Sequence, residues 1–127
     1  GRPRRCGWID LVALRFACMI NGVTQIVMTK ADVLDAFKDL EVCTAYDING
    51  KETSEIPFRI DKLPVKPVYK KFPGWNTASS AAKLQADLPG TMKTYVEFIN
   101  QYLGVSIRYI SNGPGRDQII RLEKESK

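Results

Sequence analysis

No histidine occurs in the 127 residues of this chain, which removes the commonest general base and the commonest zinc ligand together. Catalysis by these residues alone starts from a short supply of groups. Cysteine is scarce too: Cys6, Cys18 and Cys43 form an odd set with no Cys-x-x-Cys spacing, so reduced thiols of a cytoplasmic protein are the simplest account. No apolar run approaches the roughly 20 residues that a membrane span requires. No internal repeat or low-complexity segment is present, and the glycines near Gly113 and Gly115 lack the GxxxxGK[ST] phosphate-loop pattern. There is also no initiator Met, signal peptide or transit stretch ahead of Gly1-Arg2-Pro3, and the chain reads as cut from something longer.

What is present suits one α/β domain, or part of one. A chain of this length buries roughly two thirds of its unfolded surface, and 44% hydrophobic with 26% charged residues is ordinary for a globular protein. Trp8 to Ile20 is almost wholly apolar and closes on Asn21-Gly22, which predicts a helix buried on most sides with Asp10 in its first turn. Val23 to Met28 predicts a short strand and Val33 to Leu40 a helix. The order helix, buried strand, loop, helix is that of an α/β layer with parallel strands. "EVCTAYDI" alternates as a strand does, and Asn49-Gly50 predicts a hairpin whose return strand lies around Thr53 to Arg59. Val68 to Phe72 predicts an edge strand before the turn at Pro73-Gly74, and "NTASSAAKLQAD" a loop or weak helix. Asp87 before Leu88-Pro89 predicts a helix start, with apolar residues from Met92 to Tyr102 at helical spacing and a stop at Gly104. "VSIRYI" and Ile119 to Leu122 read as strands, the second leading into a charged tail.

Two strand ends stand out, "TKAD" after Met28 and "SNGPG" after Ile110. Ligands in open α/β sheets gather beyond the carboxyl ends of parallel strands, so both loops face one pocket if these strands are neighbours. Guanine presents N1-H and its exocyclic amine side by side, and the Asp32 carboxylate can accept both. Lys30 can lay its methylene stem over the ring with its ammonium in water. Backbone amides around Ser111, Asn112 and Gly113 can hold the base carbonyl, where glycine permits close approach. A lysine and an aspartate also simply solvate the end of a buried strand, and three residues alone leave both readings open.

The net charge of +5 is 19 minus 14, and Arg2, Arg4 and Arg5 place three of the positive charges in the first five residues. Arginine forks grip carboxylate and phosphate. The same cluster suits a noncatalytic basic nucleic-acid-binding module, but stacking aromatics are sparse, with only Trp8 nearby. "YKKFPGW" places three aromatics and two lysines around a turn and reads as edge-strand packing. No metal-ligand spacing is evident.

Taken in order, "GRPRRCGWIDLVALRFA", "TKADVLDAF", "VCTAYDINGK", "FPGW" and "ISNGPGRDQII" closely resemble the C-terminal part of the adenylosuccinate synthetase family, from Gly1 to about Leu122. Five ordered blocks are more specific than any one of them, and the rival nucleic-acid module leaves them unexplained. The resemblance implies the C-terminal part of a P-loop-NTPase-like, mostly parallel sheet with flanking helices and an antiparallel edge hairpin. It implies a single portion: residues 1–5 end a substrate loop, 23–40 hold a strand and the guanine-specificity segment, 41–75 the hairpin and edge strands, and 87–122 a helix, a strand and the second guanine loop. It also implies a cytoplasmic ligase of purine biosynthesis, homodimeric at full length, that uses GTP and Mg2+ to join L-aspartate to IMP, with neither membrane nor nucleic acid as partner.

Carried over by position, Gly1, Arg2, Pro3 and Arg4 match the end of the mobile loop that closes over aspartate. Arg2 falls on an arginine that contacts IMP and the aspartate region, and Arg4 on one that links the aspartate carboxylate to the GTP site. Lys30, Ala31 and Asp32 match the guanine-specificity segment, with Asp32 on the base edge and Lys30 over its face, and Ser111, Asn112 and Gly113 match the second wall. Some family members differ at the positions of Pro3 and Ala31. The family's phosphate loop, aspartate base, histidine acid and magnesium ligands lie upstream of the matched blocks. These residues alone are therefore expected to bind no metal and to turn nothing over.

Overall fold

The computed structural model describes residues 2–123; Gly1 of the substrate-loop segment and residues 124–127 of the charged tail lie outside the described residues. The first strand, β1 (Ile9–Asp10), runs parallel to the third, β3 (Asp39–Ile48), with Ile9 opposite Val42. The first helix, α1, is Leu11–Ile20. It starts later than the apolar run predicts because Asp10 is its cap: Asp10 Oδ1 accepts the Ala13 N–H at 3.0 Å, which satisfies one orphan donor of the first turn. Leu11, Val12 and Cys18 are buried, but Phe16, Met19 and Ile20 are exposed by 41%, 69% and 62%. The helix is one-sided, contrary to the buried helix that its composition predicts.

Strand β2 (Ile26–Met28) leads into a 3-10 turn over Ala31–Leu34. The helix predicted over Val33 to Leu40 does not form. Tertiary bonds overrule the helical spacing: the Asp35 carboxylate is taken by Trp75 and Ser79, Lys38 O accepts the Gly74 N–H at 2.8 Å, and Asp39 already pairs with Pro73.

Strand β3 is the spine of its sheet. One edge carries β1 and then β4 (Lys51–Thr53), and the other carries β5 (Val65–Pro73) along its whole length, antiparallel, with an irregularity between Cys43 and Ala45. The β3–β4 hairpin turns at Asn49 and Gly50, both with positive φ (55° and 81°), and Asp47 Oδ1 accepts the Gly50 N–H at 2.7 Å. That is the twist-matched turn that Asn-Gly predicts. The return strand stops at Thr53, short of Arg59, and β5 is longer than Val68 to Phe72. Its prolines are tolerated because its outer edge has no strand partner among the described residues.

The second helix, α2, is Gly90–Leu103, stopped by Gly104 in the left-handed region (φ 68°). It begins after Pro89, while Asp87 turns back to accept the N–H groups of Lys83 and Leu84. Asn100 Oδ1 accepts the Ile107 N–H at 2.7 Å and so joins α2 to the next strand, β6 (Ile107–Ser111). In the second sheet β6 runs parallel to β2 and antiparallel to β7 (Ile119–Arg121). Leu11, Leu40, Val42, Met92, Ile99, Ile110 and Ile120 form one core between the helices and both sheets, and an aromatic group of Phe72, Trp75, Tyr95 and Phe98 closes it under β5. The result is the α/β class that the order of elements predicts, with parallel strand pairs, flanking helices and an antiparallel edge hairpin. No helix among the described residues is long and apolar enough to cross a membrane.

Candidate functional site

Parallel pairing of β2 with β6, in which Met28 stands opposite Ile110, brings the two polar loops side by side beyond the carboxyl ends of neighbouring strands. The turn after β2 packs against β6. This is where open α/β sheets receive ligands. Lys30 takes a left-handed backbone (φ 57°), and its carbonyl and that of Asp32 accept the N–H groups of Val33 and Asp35, each at 3.1 Å. Ala31 is fully buried in the main core, so the turn is anchored at its middle residue, with Lys30 exposed and Asp32 half-buried beside it.

The loop after β6 is closed by Gln118. The N–H of Asn112 donates to Gln118 O at 3.1 Å, and the N–H of Gln118 to Gly115 O at 3.1 Å. Gln118 Oε1 accepts the Gly115 N–H at 2.8 Å. A β-carbon at Gly113 would overlap the Gln118 carboxamide and displace the side chain that closes this loop. Ser111 Oγ donates to Gly113 O at 3.2 Å. Of the backbone amides read as facing a base carbonyl, that of Asn112 is therefore spent inside the loop. Its side chain is fully buried and donates to Ser79 O at 2.5 Å and Ala82 O at 3.0 Å.

Asp35 plays a part that the sequence reading missed. One carboxylate oxygen accepts the Trp75 indole N–H at 2.6 Å and the other the Ser79 N–H at 2.7 Å. The only sequence signal was a second aspartate three residues after Asp32, which is also what a solvated turn contains.

Arg2, Arg4 and Arg5 are exposed, and among the described residues neither ion pair involves them; both join Asp61, to Arg59 and Lys62. Their segment is tied down through Trp8, whose ring meets Phe37 edge-on at 5.3 Å. That contact sets Trp8 itself beside a residue that follows the Lys30–Asp32 turn.

A second polar cluster lies under α1. Tyr46 donates its hydroxyl to Asp10 Oδ2 at 2.5 Å. Burial, then Asp10, pushes the tyrosine pKa far up, and the same two causes raise the Cys43 thiol. A thiol held protonated is a poor nucleophile; these groups are structural. A groove of about 820 Å3 between α2 and β6, lined by Lys93, Asn100 and Arg108 among others, is not bordered by Lys30, Asp32, Ser111 or Gly113. Among the described residues no three His, Cys, Asp or Glu side chains converge as a metal site.

Comparison with known proteins agrees with this architecture. Residues 1–120 match the family model of adenylosuccinate synthetase. The chain is 50% identical over 119 residues to the adenylosuccinate synthetase of Azobacteroides pseudotrichonymphae, covering 94% of this chain and 28% of that protein. It is 48% identical over 126 residues to that of Parabacteroides distasonis, covering 98% and 30%. A structure of fully ligated adenylosuccinate synthetase from Plasmodium falciparum superposes with a TM-score of 0.88 at 31% identity, over 96% of this chain and 30% of that one. The chain thus spans under a third of the length of the relatives it matches. With residues 1–120 matched in order and the fold shared, this chain belongs to the adenylosuccinate synthetase family.

Proposed function

We propose that this chain is the guanine-selecting portion of a GTP-dependent ligase that joins IMP and L-aspartate to give adenylosuccinate, GDP and phosphate. The observation that carries the reading is the adjacency of Lys30–Asp32 and Ser111–Gly113 at the ends of two parallel strands, in a chain that matches the family over residues 1–120. Asp32 accepts N1-H and the exocyclic amine of guanine, Lys30 covers one face of the ring, and the loop of Ser111, Asn112 and Gly113 forms the opposite wall, with the buried Asn112 shaping it from behind. Adenine has no such pair of donors, so the site discriminates by leaving polar groups unpaired with the wrong base.

Arg2 and Arg4 serve the substrate side, gripping IMP, the aspartate carboxylate and the nucleotide, and Gly1 and Pro3 complete that loop. Phosphoryl transfer from GTP to the 6-oxygen of IMP turns a poor leaving group into a good one, which the aspartate amine then displaces. Magnesium neutralises charge on the transferred phosphoryl group when bound, and its ligands, the base and the acid belong to family segments outside the matched third. This chain alone therefore turns nothing over. A cytoplasmic homodimer belongs to the same reading.

Calorimetric titration of this chain with GTP and with ATP tests the assignment. Weak binding of GTP with none of ATP is the expected result; equal affinity for the two removes the claim of guanine selection.

A further inference from the structure

The two loops that flank the strand ends are bolted to a common strut, the short segment Ser79–Ala82. From the first loop, the Asp35 carboxylate accepts the Ser79 N–H at 2.7 Å. From the second, the two hydrogens of Asn112 Nδ2 reach Ser79 O at 2.5 Å and Ala82 O at 3.0 Å. Gln118 Nε2 adds a longer bond to Ser80 O at 3.4 Å. Ser79 is thus held from both ends of one residue, its N–H by one loop and its carbonyl by the other.

Several features set this link apart from ordinary loop packing. Asn112 and Ser79 are 0% and 1% exposed, so the bond between them lies where water does not compete and a lost partner is costly, while the Asp35 bond to Ser79 is part-buried. Holding two carbonyls from one atom requires a side chain with two hydrogens on one nitrogen, which few residues supply. Asp35 is also fixed to the recognition turn itself, since its own N–H donates to Asp32 O at 3.1 Å. The path from the base-edge carboxylate to the second wall is therefore short and continuous: Asp32 backbone, Asp35 side chain, Ser79 backbone, Asn112 side chain.

We infer that Asp35 and Asn112 are positioning residues for nucleotide recognition, which set the gap between the two walls of the base site by clamping Ser79 between them. The inference rests on the guanine-site reading above. A flat base sandwiched between two loops tolerates little change in their spacing, and a recognition shell is only as well placed as the bonds behind it. Neither residue touches the base in this arrangement.

The test is steady-state kinetics on the complete gene product carrying Asp35→Asn, Asn112→Ala or both. Asp35→Asn keeps the shape but leaves one oxygen to serve two donors, and Asn112→Ala releases both carbonyls. The expected result for each single variant is a KM for GTP raised by about tenfold, with kcat and the KM values for IMP and aspartate within about twofold of the parent. Because both act through one residue, Ser79, the double variant should be little worse than the worse single one. A lowered melting temperature with an unchanged KM for GTP overturns the inference, as does a rise in all three KM values together. Should Asn112→Ala not accumulate as folded protein, Asp35→Asn reads the same link from the other side. Asp32→Asn in parallel separates the two levels: if it leaves the preference for GTP over XTP untouched, the guanine reading falls; if it shifts the preference while the clamp variants leave the KM for GTP alone, only the clamp falls.

Discussion

Trp75 donates its indole N–H to Asp35 at 2.6 Å across forty residues of sequence, and the same carboxylate takes the N–H of Ser79. The turn after β5 is thereby fastened to the turn after β2. Trp75 is buried against Tyr95 of α2, so the bond joins the candidate nucleotide loop to the aromatic end of the core. Asp35→Ala removes two charge-assisted bonds and is expected to cost about 2–4 kcal/mol of stability. Urea denaturation followed by tryptophan fluorescence measures it; a loss within error of zero would mean that water replaces the carboxylate freely.

Gly74 sits where no side chain fits. A β-carbon there would overlap the carbonyl oxygen of Phe37 and crowd that of Lys38, and both are backbone atoms that cannot swing aside. The Gly74 N–H meanwhile holds Lys38 O. Gly74→Ala is expected to destabilise the fold by about 1–3 kcal/mol or more through forced backbone displacement. By contrast Gly90→Ala, which meets nothing within 4 Å and lies in the first turn of α2, should be neutral or stabilising. Thermal melts of the two variants side by side check the contrast.

Nucleotide choice should follow one atom of Asp32. In Asp32→Asn the amide turns a donor toward the donors of guanine, whereas xanthine offers a carbonyl at that place. The complete gene product should lose about 1–3 kcal/mol of apparent affinity for GTP, by analogy with a bidentate base contact, and gain relative preference for XTP. Competition kinetics with the two triphosphates reports the shift, and an unchanged preference removes Asp32 from the base edge.

Alkaline pH should weaken the fold through its buried phenols. Burial raises Tyr95 to about 12, and burial with Asp10 raises Tyr46 further, against an ordinary value near 10. Between those values the unfolded chain has released protons that the native state keeps. Stability is therefore fully present below about pH 10 and falls as pH rises through about 12. Tyrosinate absorbance should show these two residues ionising with unfolding rather than before it, and Tyr95→Phe should flatten the loss. Ionisation of every tyrosine at its ordinary pH, with the fold intact, would contradict the burial argument.

Much of the fold was legible because it is local. Asn49-Gly50 dictates its hairpin through two positive φ values, and Gly104 ends α2 through a third. The spacing of Met92, Val96 and Ile99 selects the buried face of that helix. The strand ends at Met28 and Ile110 were legible as well, and with them the positions of Lys30, Asp32 and Ser111. What misled was equally local. Val33 to Leu40 carries helical spacing yet forms one 3-10 turn, because partners distant in sequence claim Asp35, Lys38 and Asp39.

The sequence by itself determined the class of fold, the family to which the chain belongs and the residues that end its two parallel strands, since these rest on short-range patterning and ordered motifs. Only the tertiary structure decided what those loops lean on. That Asn112 faces inward to two carbonyls, that Asp35 binds Trp75 and Ser79, and that Gly74 must be glycine all depend on groups 30 to 44 residues apart meeting in close contact. The composition of either partner alone carries no trace of the other.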